Sequence, residues 1–298
     1  MIDRGQPDAV PGWLAEIPTD AGPPWLRMGT RGIEPSAWLV VDGLRDDELE
    51  QKRRLLDRHP SAVGAWEPDT ERAGDEVRSL VERWLQEHHP GIAREVPVDV
   101  RHPLEAAAHL VQEDLCLVAD AGAGHRLVAG SVSFPSHWVL GEKLGRPMAT
   151  VHAPVPHYDT ELARRVDTFF ARLRPGRIVV RRNLSVHDHA ELHRPEPAET
   201  YGDRAPDAGP EGLWLRSERQ TLRRLPRTGA VLFTIRTQVC PVAVLARVPD
   251  VAARLAPRMA ALAADDLRAG RAPHVPTGLG VWLASVGSSE PVHRDPLT

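Results

Sequence analysis

Ser217-Glu218-Arg219-Gln220-Thr221-Leu222-Arg223-Arg224-Leu225-Pro226 runs into Gly229-Ala230-Val231-Leu232-Phe233-Thr234-Ile235-Arg236-Thr237, and the reading of this junction decides the fold. The first run, dense in ionisable side chains, predicts the start of a charged helix. The second, apolar with a single arginine, predicts a strand. An arginine on a strand needs a partner, because guanidinium is rarely left unpaired away from water. For Arg236 the candidates are a buried carboxylate such as Glu218 and the anionic groups of a ligand.

Upstream of this junction the pattern is mixed. Residues 1–40 intersperse Trp13, Trp25 and Trp38 with Pro and Gly, which predicts an arm lying across a domain. Helices are expected over 46–59 and 75–88, the second with Val77, Leu80, Val81, Trp84 and Leu85 on one face, and a further helix over 104–114. Strands are expected at 115–119 and 127–134, joined by Ala121-Gly122-Ala123-Gly124. That turn lacks the Lys and Ser/Thr of a phosphate loop and reads as a plain hairpin. A helix over 159–173, a strand over 177–186, a Pro-, Gly- and acid-rich surface loop over 195–212, a short strand at 213–215 and an amphipathic helix over 248–269 complete the series. Helices gather early and strands follow one another later, so an α+β domain with an antiparallel sheet is favoured over a doubly wound one. The expected division is an arm (1–40), one domain (41–270) and a C-terminal tail (271–298).

The 298 residues are 42% hydrophobic, enough for a real core, and the formal net charge of -4 argues against a general nucleic-acid binder. The cysteines, Cys116 and Cys240, are too far apart in sequence to suggest a zinc cluster or a disulfide framework. No signal-peptide pattern and no membrane-spanning apolar run is read, so a cytosolic setting is the simplest expectation.

Among candidate chemical groups, His189 and His193 would share one helical face, as a metal pair requires, but the nearby Arg181, Arg182 and Arg194 disfavour a dication, and a polar surface turn is the simpler reading. His152 lies in Val151-His152-Ala153-Pro154-Val155-Pro156, where two prolines stiffen the backbone beyond the imidazole. From spacing alone a satisfied core histidine is the default and a ligand role the competitor. Cys240 before Pro241 reads as a small apolar core residue rather than as a haem thiolate. No Gly-x-Ser-x-Gly elbow supports a hydrolase.

Val111-Gln112-Glu113-Asp114-Leu115, Phe134-Pro135-Ser136-His137-Trp138, Glu142-Lys143-Leu144-Gly145, the His152 segment, Arg182-Asn183, the Ser217–Pro226 run and Phe233–Thr237 occur in an order that resembles the haem-dependent oxidative N-demethylase α-subunit-like family, over about Trp25 to Ala269. The resemblance implies a PAS-like antiparallel sheet flanked by helices, with an N-terminal helical extension, that holds haem b. It implies an enzyme that uses O2 and external electrons, from a separate NAD(P)H-dependent flavin or iron-sulfur reductase, to oxidise the carbon beside an amine nitrogen, by demethylation or hydroxylation. Under it His152 becomes the proximal iron ligand and Glu218 a distal carboxylate that holds an ammonium or relays protons. Arg219 and Arg236 would pair with haem propionates or steer Glu218, and Arg182 and Asn183 would line the cofactor. The chain departs from the family pattern at Leu184, where tryptophan is usual, and at Gln238, where tyrosine is common. Two other readings stay open: a haem-based gas or redox sensor, and a non-catalytic small-ligand binder.

Overall fold

The computed structural model describes residues 10–17, 29–122, 124–152, 160–196, 210–268 and 275–288. Trp25, the 153–159 part of the proline segment and most of the 195–212 loop therefore lie outside the described residues. The described strands are β1 (Arg31–Ile33), β2 (Gly64–Trp66), β3 (Asp114–Asp120), β4 (His125–Ser131), β5 (Ile178–His187), β6 (Trp214–Arg224) and β7 (Val231–Pro241). They form one antiparallel, unclosed sheet in the order β1-β5-β6-β7-β3-β4-β2. The described helices are α1 (Arg45–Arg58), α2 (Pro60–Val63), α3 (Glu71–His88), α4 (Pro103–Ala108), α5 (Leu140–Lys143), α6 (Met148–His152), α7 (Thr160–Arg172), α8 (Pro249–Arg268) and α9 (Thr277–Gly287). This is a PAS-like α+β fold with an N-terminal helical extension, as the resemblance implies.

The predicted helix at Ser217–Pro226 is a strand. Every residue of Trp214–Arg224 pairs with β7 on one side, and Ile178–His187 pairs with it on the other. Two ladders thus satisfy the backbone where a helix would have needed only itself. The hairpin closes at Gly229, whose φ of +76° suits the turn that a side chain would strain, with Leu225 N donating to Ala230 O at 2.8 Å. Glu76 on α3 holds the loop from below, accepting from Arg227 N at 2.7 Å and Thr228 N at 2.9 Å. Between the strands the Thr221 and Thr234 hydroxyls share a hydrogen bond of 2.6 Å.

Other boundaries also differ from expectation. The helix expected over 104–114 stops at Ala108, because Asp114 already pairs with Ile235. The strand expected to reach Phe134 stops at Ser131, since the amides of Ser133 and Phe134 turn to the Asp114 carboxylate, both at 2.8 Å. Helix α9 was not expected. It packs with α8.

The sheet separates three apolar clusters. On one face, α3 and α4 cover Leu115, Leu117 and Leu232, while further along that face α8 and α9 cover Leu215, Val186 and Cys240, joined by Leu14 and Ile17 of the N-terminal arm. On the other face, Leu140, Met148, Phe170 and Leu173 from α5, α6 and the α7 region cover Cys116, Val118, Val179, Leu222 and Val231. Each fully buried Leu, Val or Phe contributes roughly 1.5–3 kcal/mol.

A buried charge network ties the N-terminal extension to the sheet. Arg236 is fully buried, and Glu218 is not among its partners in the described residues. Its guanidinium meets Asp42 Oδ2 and Glu48 Oε2 of the extension, each at 2.8 Å. Gln112 donates to the same two carboxylates, at 2.9 and 2.7 Å, while Glu113 accepts from Val40 N at 2.8 Å and Lys52 donates to Val111 O at 2.9 Å. Burial alone would raise the Asp42 pKa, but Arg236 and the hydrogen bonds outweigh it and hold the group below its ordinary value.

Removing one partner of a buried pair strands the other, so Arg236→Ala should lower unfolding free energy by about 3–5 kcal/mol in urea titrations. Because the folded-state pKa of Asp42 is depressed, its contribution is present above the ordinary aspartate value of 3.8 and is lost as pH falls through the folded value. The stability gap between wild type and Asp42→Asn should therefore be constant near neutrality and shrink on acidification below that value.

Candidate functional site

Strand alternation sends neighbouring residues to opposite faces, and this sorts the residues singled out from the sequence. Glu218 pairs with Asn183 on β5 and with Thr237 on β7, so these three share the face covered by α5–α7. Arg182, Arg219 and Arg236 are one residue out of step and share the opposite face, where Arg219 pairs with both Arg182 and Arg236 across the strands. The structure therefore does not bring Glu218 together with Arg219 or Arg236.

The three arginines on that far face are occupied by protein acceptors. Arg219 donates to Trp38 O at 2.9 Å and to Ala37 O, pinning the turn before α1. Arg182 donates to Ser217 Oγ at 3.1 Å, Gln238 Oε1 at 2.9 Å and Glu16 Oε2 at 2.9 Å. Leu184 and Gln238, the two departures from the family pattern, lie on this far face as well, Leu184 against the α8–α9 cluster and Gln238 beneath Arg182.

Glu218 is held from two sides on the α5–α7 face. Gln220 Nε2 donates to its Oε2 at 3.0 Å, and Arg216 Nε lies 3.8 Å from its Oε1. Its side chain is 18% exposed, which leaves a fixed carboxylate open to a ligand. Beside it Arg181 Nη2 donates to Asn183 Oδ1 at 2.7 Å. Burial lowers the Arg181 pKa and the Glu218 carboxylate opposes that shift. Thr237, fully buried, has no hydrogen-bond partner for its Oγ1 among the described residues.

Arg216 builds the rim. Its Nη2 donates to Phe134 O at 2.8 Å and its Nη1 to Leu192 O at 3.1 Å, so one guanidinium fastens two loops to β6. Those loops also bond each other, through His137 N to Arg194 O at 2.8 Å and Arg194 N to Pro135 O at 3.1 Å. His137 and His187 stack at the rim, with centroids 5.5 Å apart. Residues 188–193 are not helical, so His189 and His193 do not form the one-face pair. His193 Nδ1 instead contacts Ser133 O at 2.7 Å. Among the described residues, no group of three or more His, Cys, Asp or Glu side chains is arranged for a metal ion.

His152 is the last residue of α6. Met148 and Val151 of the same helix pack into the apolar cluster of the Glu218 face, so the helix that carries His152 lies over that face. Cys240 is buried in the α8–α9 cluster, where burial pushes its thiol pKa up to about 12, and it behaves as an apolar side chain. Arg181 and Arg216 did not emerge from the sequence as site residues. A period-two reading would have found them, because they stand two positions before Asn183 and Glu218. No described helix is long and apolar enough to cross a membrane.

A family model described as haem-dependent oxidative N-demethylase, alpha subunit-like, matches residues 29–269. The chain belongs to this family. Membership supports a haem-dependent oxidative activity in general terms. A haem asks for one axial ligand, apolar walls and cationic or donor groups for its propionates. On this face lie the apolar side chains of Val179, Leu222, Phe233 and Phe169, a guanidinium at Arg181 and the orphaned hydroxyl of Thr237, and the helix packed over it ends at His152.

Replacing Arg216 by Met should free both rim loops. Amide exchange at His137 and Arg194 should accelerate by about tenfold or more, the equivalent of one lost charge-assisted hydrogen bond. Unchanged exchange at both amides would show that the rim is fastened by something else.

Proposed function

We propose that this family member is a haem-dependent monooxygenase or oxidase acting on an amine, with Glu218 as the acid-base and substrate-holding carboxylate and His152 as the iron ligand. The observation that carries this reading is the cross-strand pairing of Glu218 with Asn183 on the face against which the helix ending in His152 packs. A bound haem b would supply O2 activation, using electrons from a separate NAD(P)H-dependent flavin or iron-sulfur reductase.

The chain's own residues do the rest. The Glu218 carboxylate, fixed through Oε2 by Gln220, holds a substrate ammonium or passes a proton from Oε1 or Oε2. The low-dielectric wall behind it strengthens that attraction. Asn183, oriented by Arg181, offers an amide NH2 for hydrogen bonding to the ligand. Arg216 and the loops it fastens limit water at one side of the face. Arg182, Arg219 and Arg236 contribute at one remove, by holding β5–β7 and the N-terminal extension in register. Oxidation at the carbon next to nitrogen, by demethylation or hydroxylation, completes the proposed reaction.

The decisive measurement is reconstitution of the purified protein with haem. Wild type should develop a Soret band, His152→Ala should lose it, and His187→Ala, altered on the same face, should keep it. A wild-type protein that takes up no haem would sink the proposal. Glu218→Gln should retain haem and melting temperature while amine oxidation falls by about 10²-fold or more, the scale of a positioned acid-base group. Wild-type turnover in Glu218→Gln would remove the residue from the mechanism.

A further inference from the structure

The arginines near the sheet centre differ in what they still have to offer. Arg182, Arg219 and Arg236 face away from Glu218 and donate to Glu16, to backbone carbonyls, and to Asp42 with Glu48 respectively. Arg216 shares the Glu218 face, but its guanidinium is taken up by the carbonyls of the rim loops. Arg181 is different. Among the described residues its one hydrogen bond is Nη2 to Asn183 Oδ1, at 2.7 Å, and the remaining donors of its planar fork are uncommitted.

Its setting suits an anion. Arg181 pairs with Gln220 and Asn183 pairs with Glu218, so Arg181 and Glu218 are diagonal neighbours on one face, at a separation that long side chains bridge. The arginine is partly buried, where an ion pair is less screened than in water. Asn183 holds the guanidinium from one edge, which leaves the rest of the fork to meet a carboxylate in parallel hydrogen bonds. A carboxylate at Arg181 and an ammonium at Glu218 would then lie side by side.

We propose that Arg181 is the anion-binding residue of this face, taking a carboxylate that belongs either to a haem propionate or to an amine substrate that is itself a carboxylic acid. The identity of that carboxylate rests on the proposed function; the anion-binding role rests on the geometry. It moves the propionate-pairing role expected of Arg219 and Arg236 to a residue two positions from Asn183.

The test compares wild type with Arg181→Gln, Arg181→Lys and, as a charge-matched control, Arg174→Gln, an exposed position. Haem transfer to apomyoglobin is measured with haem and with haem dimethyl ester, and melting shifts are measured with sarcosine and with its methyl amide. If the carboxylate is a propionate, Arg181→Gln should release haem about 10–100-fold faster, the range for a lost hydrogen bond to a charged group, and esterification should make wild type match the variant. If it belongs to the substrate, haem release should be unchanged, and sarcosine affinity should fall by about tenfold or more while the amide is unaffected. Lysine should restore part of either loss, since it keeps the charge without the fork. Overturning the proposal requires only that Arg181→Gln match wild type in both assays. A wild type that binds no haem would sink the proposed function instead, and the sarcosine shift of the haem-free protein would then decide the role of Arg181 by itself.

Discussion

The period of two along β5, β6 and β7 is the constraint on which the rest of this structure depends. Asn183 and Arg182, or Glu218 and Arg219, are adjacent in the chain yet separated by the thickness of the sheet. One face carries Glu218 and Asn183. The other becomes the joint that fastens the N-terminal extension and the α8–α9 pair. A shift of one residue in the β6 register would exchange the two faces, placing Arg219 under α5–α7 and Glu218 against the buried Arg236 network. The double ladder of β6, with β5 on one side and β7 on the other, guards against that slip.

The far face shows how expensive groups are accommodated. Burying Arg236, Lys52, Glu48 and Glu113 together is tolerable only because each finds an opposite charge or a backbone partner. Burial raises the Glu113 pKa, with Arg236 opposing, and burial lowers that of Lys52, with Asp114 opposing. Gln112, Glu113 and Asp114 lie in succession yet serve two other segments, the N-terminal extension at Val40, Asp42 and Glu48 and the Ser133–Phe134 amides. A stretch that reads in sequence as one motif is thus a junction of three chain segments, and its chemistry is architectural.

Much of the fold was legible in the sequence where apolar periodicity was clean. The Val77-Val81-Trp84-Leu85 face of α3 and the apolar strands β3 and β7 are examples. Ser217–Pro226 was illegible for a physical reason. Both faces of β6 carry polar partners, Arg216, Glu218 and Gln220 on one and Ser217, Arg219 and Thr221 on the other, so no alternation of apolar and polar residues was left to see. The same feature hid Arg181 and Arg216. Asn183 and Glu218 were named from the order of motifs, while their opposition across the strands needed the register. The early end of α4 was equally hidden, because what stops it is a strand pairing with residues more than a hundred positions away.

Helices α8 and α9 meet through small residues. A methyl group added at Gly280 would come within 3.0 Å of Ala260 Cβ, and one at Gly287 within 2.6 Å of Ala253 Cβ. The two glycines are seven residues apart, about 10 Å along the helix, so α9 rests on α8 at two bearings. A wedge at either would tilt the rod about the other rather than dent it locally, and the displacement would pass through Leu255 and Met259 to Leu215 and Cys240 on the back of the hairpin. The hairpin that carries Glu218 thus rests, on its opposite side, on a helix pair whose fit is set by two glycines.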